Sequence, residues 1–195
     1  MPATRATLGF KLHTGWAAVV VLARTRGNVE VLLRKRIELL PSDGSVPRFV
    51  YHQAAELPLA EASKLVKRTK RAVQESASAA LAGLLQELRS SAVSIDAAGV
   101  TTGSMAVPSD LPAILAAHTL IHLAEGALFQ EAVAQACEAR GMKVIRVRER
   151  ELWSKLSADV REEVDRLRGL IGPPWGADQK TATAAALVSL NRHSA

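Results

Sequence analysis

At 195 residues, with 48% hydrophobic and 23% charged residues, the chain is long and apolar enough for a packed core, which excludes a disordered polyelectrolyte. Its single cysteine, Cys137, excludes a disulfide-stapled secreted scaffold and points to a reducing, cytoplasmic setting. The formal charge of +6 arises wholly in residues 1–100, which carry 14 Lys+Arg against 8 Asp+Glu, whereas residues 101–195 carry 11 of each; this asymmetry suits contact with DNA or RNA.

Three strands are predicted first: Ala6–Leu12, the β-branched run Trp16–Ala23, and Val29–Leu39, in which Val29, Val31 and Leu33 are expected to share a face. Turns at His13-Thr14-Gly15 and Arg26-Gly27-Asn28 join them into an antiparallel meander. Trp16–Ala23 is too short to cross a bilayer, and Arg24-Thr25-Arg26 follow it in place of a cleavage site, so neither a membrane span nor a secretory leader is expected. Pro41–Pro47 reads as a loop and Arg48–His52 as a short extended piece. Leu59 to Leu88 keeps a helical period through Ala62, Leu65, Val66, Val73, Ala77, Leu81 and Leu84. A strand over Val93–Thr102 is followed by a second long helix, Leu111–Arg140, capped by Asp110 and ended by Gly141. Met142–Val147 is a further strand. Glu149–Leu156 begins a helical turn, and Ser157 caps a helix striped by Val160, Val164, Leu167 and Leu170. After the Gly172–Gly176 loop, Asp178 is expected to cap a last helix, Gln179–Asn191.

Strand–helix–strand–helix succession after a meander implies right-handed crossovers and parallel pairing. The expectation is an α/β chain, one domain over residues 1–195, with a mixed five-stranded sheet in the order β-β-β-α-β-α-β-α and flanking helices.

That order is ribonuclease-H-like, and several stretches resemble RuvC-type Holliday-junction resolvases. Leu8-Gly9-Phe10-Lys11 followed by Thr14-Gly15-Trp16-Ala17 resembles their opening strand and turn. Ala113–Leu156, including Arg148-Glu149, resembles their central helix and next strand, and Pro173-Pro174-Trp175 with Asp178-Gln179-Lys180-Thr181-Ala182 resembles their closing helix. The resemblance implies four carboxylates holding two divalent ions that activate water and stabilise the phosphate transition state. Here Lys11 stands at the first acid, Thr101 or Thr102 at the second and Thr181 at the last, while Asp178 alone matches. Magnesium needs oxygen ligands in near-octahedral array, and an ammonium in their midst repels it. Two-metal nuclease chemistry is therefore expected to be absent, with no metal and no cofactor.

Three sets of residues carry the remaining functional readings. Lys11, His13, Asp178 and Lys180 are expected to meet where the first strand ends and the last helix begins. They form either a metal-independent, phosphate-handling site with His13 as acid or base, or a Lys11–Asp178 ion pair filling a vacated metal site. Lys64, Lys67, Arg68, Lys70 and Arg71 form a helix face suited to phosphates, or simply a solvated one. His118, His122 and Glu125, at i, i+4 and i+7, share a face that could grip zinc or be buried against backbone or carboxylate partners; the resemblance also implies a homodimer packed through the second long helix. With aromatics at 4%, a base-stacking platform is poorly supported. Trp175 and Cys137 read as core. The functions that follow are a degenerate resolvase-like domain serving as a nucleic-acid-binding or protein-interaction module, an enzyme with a rebuilt site, or a structural dimerisation protein.

Overall fold

Alternation along the first strand sets up the whole architecture. In β1 (Thr4–His13), Ala6, Leu8, Phe10 and Leu12 point to one side of the sheet and are buried there. Thr7, Gly9, Lys11 and His13 therefore point to the other. β1 pairs antiparallel with β2 (Trp16–Thr25), and β2 with β3 (Asn28–Glu38). The computed structural model describes residues 4–25, 28–89 and 93–193; the expected turn at Arg26-Gly27 and the side chains of Val160 and Leu170 lie outside what it describes.

A register shift between Val21 and Leu22 leaves Leu32 as an extra residue in β3. A bulge of this kind reverses the alternation beyond it. Val29 and Val31 accordingly join the core on one face of the sheet while Leu33 and Ile37 join the other, which corrects the expectation that Val29, Val31 and Leu33 share a face. Beyond β1 lie β4 (Val93–Thr102) and β5 (Lys143–Arg148), both parallel, so the sheet order is β3-β2-β1-β4-β5.

One face of the sheet is covered by α1 (Val50–Ala55), α2 (Leu59–Glu87), α3 (Leu111–Leu115) and α4 (His118–Glu138). Two of these depart from expectation. Arg48–His52 is not extended: Val50 opens α1, whose free N–H groups at Tyr51 and His52 are taken by the carboxylate of Glu125 from α4, at 2.7 and 3.2 Å. A partner 73 residues away supplies the cap that local sequence lacks. The second long helix is split, because Ala117 is extended (φ −136°, ψ 117°) and His118 starts afresh. Asp110 caps α3 through the Ala113 N–H at 3.0 Å, and Gly141 (φ 76°) turns the chain after α4.

The other face carries α5 (Glu149–Leu152), a 3₁₀ turn (Trp153–Lys155), α6 (Ala158–Ile171) and α7 (Ala177–His193). Arg34 of β3 donates to the carbonyls of Ile171, Gly172, Pro173 and Pro174 at 2.6–3.3 Å, fixing the loop into α7. α7 lies almost on the strands. A Cβ on Gly9 would stand 1.9 Å from the Ala182 carbonyl, and one on Gly99 would stand 2.1 Å from that of Ala185. Glycine on the sheet and alanine on the helix bring the two backbones together, and Thr7 Oγ1 donates to the Ala186 carbonyl at 3.1 Å. Cys137 and Trp175 are core residues, as expected. Among the described residues no helix is long and apolar enough to cross a membrane.

Candidate functional site

The close seating of α7 decides what meets at the end of the sheet. Residues of β1 facing α7 engage it in turn: Thr7 with Ala186, Gly9 with Ala182, and His13 with Asp178, whose Oδ1 lies 2.9 Å from His13 Nε2. Asp178 sits inside the first turn of α7, which begins at Ala177, so it faces His13 and is not the cap it was expected to be. The Lys180 N–H bonds instead to the Gly176 carbonyl at 3.1 Å, and Gln179 Oε1 accepts from the Gly176 N–H at 3.0 Å. The His13 ring stacks on Trp16 at 4.1 Å, and the Arg36 guanidinium lies 4.1 Å over the Trp16 ring.

Lys11 does not pair with Asp178. Its Nζ lies 2.5 Å from Glu149 Oε2, at the junction of β5 and α5, and its side chain is only 16% exposed. Lys180 turns away to Asp165 at 2.6 Å. Thr101 is buried and its hydroxyl accepts from the Leu12 N–H at 3.3 Å, knitting β4 to β1. The expected quartet thus resolves into three pairs: Lys11–Glu149, His13–Asp178 and Lys180–Asp165. Sequence reasoning missed Glu149 as the partner of Lys11, and missed the Trp16–Arg36 stack behind His13. The Glu149 signal was present, since an acid just past a parallel strand neighbouring β4 belongs at this end of the sheet.

The basic face of α2 is exposed throughout Lys64, Lys67, Arg68, Lys70 and Arg71. Arg71 bonds Glu75 one turn on at 2.9 Å; among the described residues Lys64, Lys67, Arg68 and Lys70 have no ion-pair partner. Lys64, Lys67, Arg68 and Arg71 fall at i, i+3, i+4 and i+7 and form one stripe. Lys70 stands to its side, at the rim of a cavity of about 390 Å³ whose walls include Tyr51, Gln74, Pro108 and Leu128.

The third set is rearranged. His118 and His122 are exposed, not buried as expected, with Nε2 atoms 2.9 Å apart. Glu125 is buried and turned inward onto α1, so it is not their third neighbour. That neighbour is His52, missed because its segment was expected to be extended and it lies far from them in sequence. Its ring meets His118 and His122 edge to face at 5.6 and 4.7 Å.

No family model matches the chain, and no curated protein matches it. Solved structures do. Thermus thermophilus RuvC in complex with a Holliday junction substrate is 15% identical with a TM-score of 0.51, over 94% of this chain and 90% of that one. A second Thermus thermophilus RuvC structure is 14% identical with a TM-score of 0.48, over 93% and 90%. The chain has a ribonuclease-H-like fold.

In that fold the end of the sheet is where divalent ions would be expected. The donor set here does not fit them. Lys11 brings a cation into the corner, its ammonium holds Glu149 Oε2, and Asp178 Oδ1 is engaged by His13. Thr101 spends its hydroxyl on a strand-to-strand bond. Magnesium demands near-ideal octahedral oxygen coordination, and no step through such ions can be built on these side chains.

Proposed function

We propose that this ribonuclease-H-like chain is a degenerate resolvase-like domain that binds the phosphate backbone of nucleic acid and does not cut it. The observation that carries the reading is the Lys11–Glu149 pair at 2.5 Å, which seats a fixed positive charge where cleavage would need a mobile one. With chemistry removed, binding remains, and Lys64, Lys67, Arg68 and Lys70 of α2, which have no ion-pair partner among the described residues, supply charge for it. Thermus thermophilus RuvC was solved on a Holliday junction, which supports a DNA ligand here over RNA. The unpaired, buried Cys137 supports a cytoplasmic setting.

Fluorescence anisotropy on branched and linear DNA and on RNA, across salt and with or without Mg²⁺, tests the proposal. We expect binding that weakens steeply with salt and no cleavage in Mg²⁺. Reversing charge at Lys67, Arg68 and Arg71 should make the plot of log K against log salt shallower by about 3, one phosphate contact each. Mg²⁺-dependent cleavage would overturn the reading. Salt-insensitive binding would overturn the role of α2, and a dimer through α4 with no nucleic-acid affinity would favour the structural alternative.

A second reading rests on His13. Asp178 orients its imidazole through Nε2, leaving Nδ1 as the nitrogen available for proton transfer. Metal-independent phosphate-ester turnover that disappears in His13→Gln would favour it.

A further inference from the structure

We infer that His52, His118 and His122 form a binding site for a borderline divalent transition-metal ion, zinc foremost, with Glu125 as the residue that orients His52. The three side chains each offer one ligand atom, and these atoms lie within 4.8 Å of one another. The rings stand at 67–86° to each other, edge to face and not stacked. His118 and His122 are one helical turn apart at the start of α4, the spacing at which two imidazoles on a helix reach a single ion. Their Nε2 atoms, now 2.9 Å apart, need to separate only to about 3.3 Å to share a tetrahedral ion at a metal–nitrogen distance of about 2.0 Å.

Glu125 supplies the independent argument. Its Oε1 lies 3.2 Å from His52 Nδ1 and also accepts the N–H groups of Tyr51 and His52. A carboxylate accepts and does not donate, so His52 carries its proton on Nδ1 and leaves the Nε2 lone pair free. This is the carboxylate–histidine arrangement that fixes tautomer and ring orientation around bound metals. Glu125 is 3% exposed, and its Oε2 has no hydrogen-bond partner among the described residues. A buried carboxylate is costly without compensating charge, and a cation held by His52 provides it. Imidazole ligands select zinc, copper or nickel over magnesium or calcium. The fourth position faces solvent, on the side where His118 and His122 are exposed, and takes a water. Bound there, the ion ties the six-residue α1 to α4.

The site shares no residue with α2 or with the end of the sheet, so it stands or falls apart from the proposed function. The test uses the full chain without a polyhistidine tag, stripped with a chelator and titrated with Zn²⁺ by calorimetry and with Co²⁺ by visible absorbance. We expect one ion per chain at micromolar affinity or better, four-coordinate cobalt bands, and a rise in Tm with Zn²⁺. His118→Ala and His122→Ala, both at exposed positions, should keep the circular dichroism of the parent and each weaken binding at least about 100-fold, while Glu125→Gln weakens it about 10–100-fold. No saturable one-to-one binding, or an affinity unchanged in both His118→Ala and His122→Ala, would overturn the inference.

Discussion

Two polar clusters sit on opposite faces of the same sheet, and they differ in where their cation comes from. At the end of the sheet, Lys11 and Lys180 each meet an acid, so positive charge is covalently built in, and His13 bonds Asp178 beside them. Beside α1, three imidazoles and a buried carboxylate converge with no Lys or Arg bonded to them among the described residues. The contrast teaches that counting titratable groups does not reveal a metal site. Convergent geometry does: at the sheet end Glu149 and Asp178 are each held by a neighbouring Lys11 or His13, whereas beside α1 three imidazoles bring one ligand atom each to a common point.

The sharpest way to break this contrast is to remove the geometry of one side. The His13–Asp178 and Lys180–Asp165 pairs depend on α7 lying against β1 and β4, and a methyl group at Gly99 would strike the Ala185 backbone at 2.1 Å. Backbone cannot rotate aside as a side chain can, so α7 must lift. Gly99→Ala should cost about 3 kcal/mol, at the upper end for overpacking, measured as a fall in the urea midpoint at unchanged slope. The histidine cluster lies on the opposite face and should keep its Zn²⁺ affinity in whatever fraction stays folded. Equal loss at both clusters would mean that the two faces are not independent.

Much of the fold was legible in the sequence because it rests on local pattern. Val93–Thr102 is a strand with the bounds expected of it, and Gly141 ends α4's segment in the left-handed region. What stayed hidden was set by distant partners. The helical state of Val50–Ala55 is supported by Glu125, the break at Ala117 has no glycine or proline to announce it, and the bulge at Leu32 shows only in the register with β2. The candidate sites divide in the same way. The end of the sheet was located from the order of elements, but its pairing was not, because Lys11 is long enough to choose between Asp178 and Glu149. His118 and His122 declared themselves by helical spacing; His52 could not, since only the tertiary fold brings α1 against α4.

Alkaline titration sharpens the comparison from the α4 side. Burial, reinforced by the negative charge of Glu125, pushes Tyr51 from its ordinary 10.0 up to about 12. Burial likewise raises Cys137 from 9.0 to about 12, with Arg140 opposing and Glu138 adding to the shift. Near neutral pH both groups are neutral in either state. As pH rises through 9.0 for Cys137 and 10.0 for Tyr51 toward about 12, the unfolded chain releases protons that the folded chain retains, so stability falls across that window. Tm followed from neutral to alkaline pH should show this descent. Glu125→Gln should move the Tyr51 contribution to lower pH by the smaller, electrostatic part of its shift only; a descent that vanishes altogether in that variant would assign the effect to charge and not to burial.

The smallest expected effect discriminates most directly between a filled corner and a working one. In the Lys11–Glu149 pair the lysine is largely covered but the glutamate is 49% exposed, so water can solvate Glu149 once its partner is gone. Lys11→Met retains the covered aliphatic stem and removes the charge. It should therefore cost no more than about 1 kcal/mol, the scale of a solvent-exposed pair, and not the roughly 3–5 kcal/mol of stranding a buried charge. The same variant asks whether Lys11 alone keeps divalent ions away. Two carboxylates, Glu149 and the His13-bound Asp178, with threonines elsewhere, still fall short of an octahedral oxygen shell. Mg²⁺ should leave the Tm of Lys11→Met where it was. A rise in Tm with Mg²⁺ in this variant but not in the parent would show that one ammonium separates the corner from a metal centre, and that the histidine cluster is not the better-prepared of the two.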